Sequence, residues 1–142
     1  MTQTFAYYAM VFYKRFAAYT ARRLQSLGLN FGALFLVLYV GRHPGCTQAE
    51  LTEALGLDWG YSQRSIKRLE EDGFLTREKD GRAFHLTLSQ RGQEAFAVSH
   101  QVFHDWDEDA LAALTPEEQA QLLHLLGKIK RKEANDQACT TS

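Results

Sequence analysis

The middle third of the chain constrains its fold most strongly, because it marks the start and end of two consecutive short helices. Thr47 and Glu50 stand three residues apart, the spacing of a capping box at a helix start. A short turn after that helix ends in Asp58, which can cap a second helix over residues 59–72. Gly73 can end the second helix in a left-handed conformation. The sequence therefore predicts two short helices joined by a tight turn.

A β-hairpin is predicted directly after the second helix. Two short runs that can each form a strand, residues 74–77 and 83–88, lie on either side of Asp80-Gly81. Glycine supplies the positive φ that a tight primed turn needs. Three basic residues lie in or near the tip: Arg77, Lys79 and Arg82. Either the tip is a solvated surface turn, or it contacts something negatively charged.

Longer helices flank this unit on both sides. Aromatic residues recur at three- and four-residue steps between Phe5 and Tyr19, which predicts a first helix with one aromatic face. The apolar run 31–41 predicts a helix that is buried on all sides. The remaining predicted elements are a long helix from about Ser89 to Leu114, a last helix over 116–132, and a flexible polar tail over 133–142.

The composition fits one globular domain and argues against several other classes. The chain has 142 residues, of which 45% are hydrophobic, enough to bury a core in a single domain spanning 1–142. Its most apolar run is about half of the ~20 residues that a membrane-spanning helix requires, and the N-terminus lacks the features of a signal peptide. No catalytic arrangement or Gly-rich phosphate loop emerges. We therefore expect a cytoplasmic protein that is not an enzyme, needs no cofactor and does not bind a membrane.

Charge is distributed unevenly along the chain. The formal net charge is -1, which by itself does not indicate nucleic-acid binding. Residues 1–46 nevertheless contain five basic and no acidic residues, whereas residues 101–142 contain four basic and eight acidic ones. A near-neutral protein with this asymmetry can still present a basic face.

Two short helices followed at once by a hairpin describe a winged helix–turn–helix, a mostly α fold with a small β-hairpin wing. In such a unit the second helix enters the major groove of DNA, and the wing tip contacts the backbone or the minor groove. The basic residues of the predicted second helix are Arg64, Lys67 and Arg68. Its polar residues, which offer hydrogen bonds to base edges and phosphates, are Ser62, Gln63 and Ser65. Pairing of Lys67 with Glu71, four residues on, is an alternative role for that lysine.

From about residue 30 to 130 the chain resembles the MarR family of bacterial transcriptional regulators. The resemblance rests on three motifs in order: "RLEEDGFL" at the end of the second helix, Asp80-Gly81-Arg82 at the wing tip, and "LSQRG" at the start of the long helix. It implies a winged-helix DNA-binding region over 31–88, with dimerisation helices over 1–30 and 89–132. It also implies a homodimer that binds double-stranded DNA at a pseudo-palindromic operator. Repression released by a small-molecule effector is the implied activity, and activation is the alternative.

The family pattern has a minor-groove arginine at the wing tip, held in place by an aspartate two residues earlier, and these positions match Arg82 and Asp80. A narrow A·T-rich minor groove concentrates negative potential, so a guanidinium group suits it. The chain departs from the pattern in a wing that looks shorter, and in a recognition helix that begins Trp59-Gly60-Tyr61 instead of with small hydroxyl residues. Tyr61 can contact a phosphate or a thymine methyl group, or it can belong to the core. The predicted DNA-binding residues are Gly60, Tyr61, Gln63, Arg64, Lys67, Arg68, Asp80 and Arg82.

Two further sites are predicted besides the DNA-binding residues. Leu122, Leu126 and Ile129 recur at steps of four and three on the last helix and are predicted to form part of the dimer seam. The resemblance implies an effector pocket between the first two helices and the long helix. Aromatic walls with a few hydroxyl groups and an arginine suit a small aromatic or phenolic compound. The predicted lining is Tyr8, Phe12, Arg15, Tyr19, Phe35 and Tyr39.

Two other functions are compatible with the same sequence. A winged helix can serve as a protein-interaction module, which needs no minor-groove arginine. Alternatively, a metal ion or an oxidant can control DNA binding through candidate ligands or a thiol: His100, His104, Asp105, His43 and Cys46. The two cysteines of the chain, Cys46 and Cys139, are far apart and in no metal-binding or redox spacing. The histidines can instead be solvated or interface side chains, and no metal site is predicted.

Overall fold

The computed structural model describes the backbone of residues 3–140 and the side chains as far as residue 131. The helices are α1 (Phe5–Leu24), a 3₁₀ turn (Gln25–Leu27), α2 (Phe31–Arg42), α3 (Gln48–Ala54), α4 (Trp59–Glu71), α5 (Gln90–Ala110) and α6 (Pro116–Thr140). The strands are β1 (Leu75–Asp80) and β2 (Ala83–Leu88). The predicted class, mostly α with one hairpin, is confirmed. The chain divides into two compact units, one ending at His104 and the other beginning at Asp105.

Local side-chain caps fix the helix starts that the sequence predicts. The hydroxyl of Thr47 accepts from the Glu50 amide at 3.2 Å, while the Glu50 carboxylate accepts from the Thr47 amide at 3.2 Å. Asp58 accepts from the amide of Tyr61 at 3.1 Å and so caps α4. The reciprocal pair seen at α3 recurs between Thr115 and Glu118 at the start of α6. Each cap satisfies amides that a helix start leaves without an internal partner, so these starts are encoded locally.

The hairpin is longer and tighter than the sequence predicts. β1 runs to Asp80, which pairs with Ala83, so the turn consists of Gly81 and Arg82 alone. Gly81 has a φ of 65°, which supplies the positive angle expected there. The predicted end of β1 at residue 77 was wrong because residues 78–80 are all charged and break the apolar alternation. Residues 78–80 are exposed, so this part of the strand does not need that alternation.

Helix α2 forms the centre of the core, as its apolar run predicts. The buried residues of α2 are Leu34, Leu36, Val37, Leu38 and Val40. They belong to one cluster with side chains from α3, α4 and the wing, including Leu51, Ile66, Phe74 and Leu86. Burying one such side chain stabilises the fold by about 1.5–3 kcal/mol. The core therefore fixes the two elements expected to meet DNA, α4 and the wing, against α2.

A close crossing joins α2 to α5. A Cβ atom built on Gly41 would overlap the ring of Phe96, so only glycine allows the two helices to approach this closely. No single helix in the described part of the chain is both long and apolar enough to cross a membrane. α1 with its 3₁₀ turn passes that test only together with α2, and the two are bent by 75° relative to each other.

Two predicted helix ends are corrected. α5 ends at Ala110, not at Leu114, and a turn follows in which the amide of Leu114 donates to the carbonyl of Leu111 at 3.0 Å. The backbone of α6 continues as helix to Thr140, well past the predicted end at residue 132. The predicted flexibility of 133–142 remains a prediction, and residues 141–142 lie outside the described part of the chain.

Candidate nucleic-acid interface

A buried pair of hydroxyl groups joins the two helices of the helix–turn–helix. Ser62 on α4 and Thr52 on α3 share a hydrogen bond of 2.6 Å, and the Ser62 side chain is fully buried. Gln48 donates to the Ser62 hydroxyl at 3.4 Å from the first turn of α3. The prediction that Ser62 offers a hydrogen bond to DNA was therefore wrong, because its hydroxyl is used inside the motif. Its role is to hold α4 against α3.

The opposite face of α4 is exposed and basic. Ile66 and Leu69 are buried, whereas Gln63, Arg64 and Lys67 are exposed on the same helix. Arg68, also exposed, lies 3.8 Å from the Asp72 carboxylate, a distance typical of weak surface ion pairs. Among the described residues no ion pair joins Lys67 to Glu71, so the alternative role for that lysine is not supported. This face presents three cations to solvent.

Gly60, in the first turn of α4, lies close to the side chains of Arg64 and Asp58. A Cβ atom at Gly60 would stand 3.1 Å from Nη1 of Arg64 and 3.2 Å from the carboxylate of Asp58. The guanidinium group of Arg64 therefore lies over the start of the helix, where residues of a recognition helix meet base edges. Glycine leaves it room to do so.

Tyr61 is a candidate for two roles, a DNA contact or a core residue, and its surroundings are intermediate between them. Its side chain is 41% exposed. Its hydroxyl oxygen lies 2.6 Å from where a Cβ atom on Gly32 would stand, so the ring leans over the start of α2. Tyr61 is thus neither a core residue nor fully free at the surface.

The wing tip carries the second exposed arginine. Lys79, Asp80 and Arg82 are all exposed, and Arg82 is one of the two turn residues. In the part of the chain that the structure describes, Arg82 forms no ion pair with Asp80. Both groups are therefore available at the tip of the free protein.

Arg77 has an internal role instead. Its guanidinium group pairs with the carboxylate of Glu70 on α4 at 2.6 Å, and each side chain is 29% exposed. It also lies 5.1 Å from the ring of Phe84 on β2. Arg77 therefore ties the base of the wing to the recognition helix.

Three hydrogen bonds attach the wing to the loop between α2 and α3. Gly45 donates to the carbonyl of Leu86 at 2.8 Å, and Leu86 donates to the carbonyl of Cys46 at 2.8 Å. Nδ1 of His85 lies 2.8 Å from the carbonyl oxygen of Gly45. Cys46 is buried, and burial, followed by the charge of Glu50, raises the pKa of its thiol. A thiol of this kind is a poor oxidation sensor, because the thiolate is the reactive form.

Two exposed aromatic side chains near the interface were missed by the sequence reasoning. Trp59, the first residue of α4, is 53% exposed, and Phe84 on β2 is 45% exposed. Both line a groove of about 240 Å³ between the wing and the helix–turn–helix. The sequence did hold a signal for the exposure of Trp59, because Trp59 lies four residues, about one helical turn, before the polar residue Gln63 on α4. Trp59 of α4 and Phe84 of β2 therefore line the same groove.

The candidate metal ligands and effector residues are only partly brought together. His43 stacks on Tyr39 at 4.3 Å and His100 on Phe96 at 6.3 Å, and neither belongs to a group of three metal-binding side chains among the described residues. Phe35 packs edge-on against Phe31 at 5.3 Å. The other effector candidates lie on α1: Tyr8 and Phe12 stacked at 6.1 Å, exposed Arg15, and Tyr19, which accepts from Arg23 at 2.6 Å.

Comparison with known proteins identifies the family. A family model described as "MarR family" matches residues 27–83. The chain is 44% identical over 139 residues to the HTH-type transcriptional regulator BilQ of Clostridium symbiosum (strain WAL-14163), a match that covers 95% of this chain and 96% of that protein. The chain belongs to the MarR family. This MarR-family protein is a DNA-binding transcriptional regulator with a winged helix–turn–helix.

Solved structures of MarR proteins share its fold. A putative MarR family regulator from Listeria monocytogenes in complex with a 26mer DNA matches with a TM-score of 0.85 and 20% identity, over 95% of this chain and 92% of that one. The Mycobacterium tuberculosis MarR family protein RV2887 in complex with salicylic acid matches with a TM-score of 0.70 and 22% identity, over 90% of this chain and 97% of that one. At these identities the likeness concerns the fold of this MarR-family chain.

Proposed function

We propose that the protein is a cytoplasmic homodimeric repressor that binds a pseudo-palindromic operator and is released by a small aromatic or phenolic effector. The observation that carries the DNA-binding part is the pair of exposed arginines, Arg64 on α4 and Arg82 on the wing tip. Helix α4 would enter the major groove and the wing tip the adjacent minor groove. The regulator from Listeria monocytogenes that shares this fold was solved with a 26mer DNA, which supports this use of the surface.

Each basic residue has a distinct proposed role. Arg64 would read a base edge in the major groove, and its position over the first turn of α4 supports this role. Lys67 and Arg68, further along the helix, would contact phosphates, together with Gln63 and Tyr61. Arg82 would enter the minor groove, with Asp80 orienting it once DNA is bound. Gly60 contributes by leaving room for the Arg64 side chain.

Exposed apolar side chains support the homodimer. On α1, Phe5 and Tyr13 are each 62% exposed, and Met10 and Phe12 are about half exposed. On α6 the exposed residues are Leu123, Leu125, Leu126 and Ile129. Large apolar side chains exposed on a helix mark a candidate interface. A second copy of the chain would cover it and place two recognition helices on the two halves of an operator.

The proposed effector is a flat, mostly apolar anion. Tyrosines on α1 and α2, together with an arginine such as Arg15 on α1, suit a flat and mostly apolar anion. The protein RV2887, which shares the fold, was solved with salicylic acid. A ligand releases the operator only if it binds the DNA-incompetent shape better than the competent one.

A gel-shift titration with the DNA upstream of the protein's own gene tests the central claim. Wild type should bind one fragment in preference to unrelated DNA. The affinity should fall steeply as the salt concentration rises, and the fall is steeper when more phosphates are contacted. Binding should be competed by the same duplex and not by a duplex with scrambled half-sites. Equal affinity for every duplex at matched salt would reject sequence-specific operator binding.

A thermal-shift screen tests the effector. Aromatic acids and phenols are compared with sugars and divalent metals, and each compound that raises the melting temperature is repeated in an operator-release assay. We expect release by at least one aromatic compound. Release by zinc or by an oxidant, with no response to any aromatic compound, would replace the aromatic effector with a metal- or thiol-controlled switch.

A further inference from the structure

Arg91, in the first turn of α5, makes three contacts with its guanidinium group. Nη1 donates to the carbonyl oxygen of Asp72 at 2.5 Å, and Nη2 donates to the carbonyl oxygen of Leu27 at 3.4 Å. The guanidinium carbon lies 4.2 Å from the centre of the Phe74 ring. The residue as a whole is exposed, so its guanidinium group makes these contacts at the protein surface.

The contacts of Arg91 connect three elements. Asp72 is the C-cap of recognition helix α4, where helix carbonyls lack an internal partner. Leu27 ends the 3₁₀ turn between α1 and α2, and Phe74 follows α4 and is buried in the core. One side chain of α5 therefore links the end of the recognition helix to the connection between α1 and α2.

The junction of α4 with α5 does not depend on Arg91. The hydroxyl of Ser89 donates to the carbonyls of Gly73 at 2.5 Å and of Phe74 at 3.1 Å. A Cβ atom on Gly92 would overlap the carbonyl oxygen of Phe74, so the backbones are in close contact there. Of these residues at the start of α5, Arg91 is the one that reaches Leu27.

An open cavity lies next to the contacts of Arg91. A cavity of about 370 Å³ separates the α1–α2 connection from α4, lined by Gln25, Gly28 and Asn30 on one side and by Ser65, Arg68 and Asp72 on the other. Nη2 of Arg91 lies 3.7 Å from where a Cβ atom on Gly28 would stand, at the edge of this cavity. Leu29 and Leu69, which also line the cavity, belong to the same core cluster and join its two sides in the interior. Arg91 joins them by polar contacts at the surface.

We propose that Arg91 is a positioning residue that holds recognition helix α4 at a fixed setting relative to α1, and so fixes the distance between the two recognition helices of the dimer. This inference rests on the proposed function, because it requires a homodimer joined partly through the exposed face of α1. Half-sites separated by a fixed number of base pairs demand a fixed distance between recognition helices. Lysine is a poor substitute, because its single ammonium group cannot bridge two carbonyls and stack on a ring in the fixed geometry of a guanidinium fork.

The test measures the preferred spacing of the operator. Wild type, Arg91→Ala and Arg91→Lys are titrated against duplexes whose two half-sites are moved together or apart by one or two base pairs. Wild type should prefer one spacing. Arg91→Ala should lose roughly tenfold at that spacing, the size of one charge-assisted hydrogen bond, and lose little at the neighbouring ones. Arg91→Lys should lie between the two. Arg42→Ala, which removes an exposed arginine from the end of α2, should behave as wild type.

A second measurement reports on geometry without DNA. A spin label at Gln63→Cys in a Cys139→Ser background gives the distance between the two copies of α4 in the dimer. Arg91→Ala should broaden this distance distribution, while circular dichroism and dimer mass stay unchanged.

Two results would overturn the inference alone: an Arg91→Ala spacing preference and label distribution equal to those of wild type, or an equal loss at every spacing together with a lower melting temperature. A wild-type protein without any spacing preference would instead overturn dimeric operator binding, and this inference with it.

Discussion

The arginines around the recognition helix divide into two groups by what their guanidinium groups contact. Arg77 pairs with Glu70 at 2.6 Å, and Arg91 donates to the carbonyl of Asp72 at 2.5 Å, so both are used within the fold. Arg64 and Arg82 form no ion pair or hydrogen bond among the described residues. Charge removed from the second group should therefore change binding without changing stability.

Arg82→Ala should weaken operator binding by about 1–3 kcal/mol. The melting temperature should barely change, because a turn-tip arginine supports little packing. A fluorescence titration at fixed salt measures the affinity, and Lys14→Ala, which removes one positive charge from α1, is the control. Unchanged affinity of Arg82→Ala would mean that the wing tip does not enter the minor groove.

Arg64→Ala should weaken binding and also relax the sequence preference at one position in each half-site. Its guanidinium group lies over the first turn of α4, where a side chain meets base edges and not only phosphates. Selection of binding sites from randomised duplexes by wild type and variant measures the preference. A loss that is uniform across all sequences would show that Arg64 contacts phosphate alone.

Cys46 should react slowly with thiol reagents in the folded protein. Its side chain is 3% exposed, and burial raises the pKa of its thiol, so little thiolate is present near neutral pH. Mass spectrometry of the peptide containing Cys46, after timed alkylation with and without denaturant, measures the rate. Alkylation as fast in native buffer as in denaturant would reopen a redox role for this residue.

At the scale of elements, the hydroxyl pair between α3 and α4 sets how the recognition helix is presented. Ser62→Ala should lower the free energy of unfolding by about 1–3 kcal/mol, because it removes a buried hydrogen bond to Thr52. Ser65→Ala, on the same helix, should cost no more than about 0.5 kcal/mol. Urea denaturation of both variants measures the difference, and equal stabilities would show that the bond contributes nothing.

Elements were predictable where their signals are local. The caps at Thr47, Asp58 and Thr115 satisfy amides within one helical turn, so spacing alone reveals them. The burial of Ser62 depends on how α3 crosses α4, and that crossing is set by contacts distant in sequence. The same holds for the groove between Trp59 and Phe84, which exists only once the wing folds back beside α4.

At the scale of the whole molecule, a single copy of the chain leaves apolar side chains of α6 exposed to solvent. Leu126→Asp should dissociate or unfold the dimer, because it would bury an unpaired charge in the proposed seam. Sedimentation velocity at micromolar concentration measures the mass, with Lys128→Asp on the same helix as the control. A wild-type protein that is folded and monomeric would reject both the proposed dimer seam and the proposed operator with two half-sites.

The predicted seam residues differ in how much surface they leave for a partner. Leu126 and Ile129 are 38% and 43% exposed, whereas Leu122 is only partly exposed. Leu123 and Leu125, which the sequence reasoning left out of the seam, are 55% and 48% exposed. Helical spacing identifies an apolar face, but it does not decide which of its residues are used within one copy of the chain.

The hydrogen bonds between the α2–α3 loop and β2 tie the wing to the helix–turn–helix, so we expect the two to move together. Arg64, proposed for the major groove, and Arg82, proposed for the minor groove, would then lie at a set separation within each half-site. One extra base pair between their two contact points would rotate one groove relative to the other by about a tenth of a helical turn. A wing on a loose hinge would follow that rotation, whereas this wing would miss its groove. Operators for this protein should therefore vary in base sequence far more freely than in the number of base pairs inside a half-site.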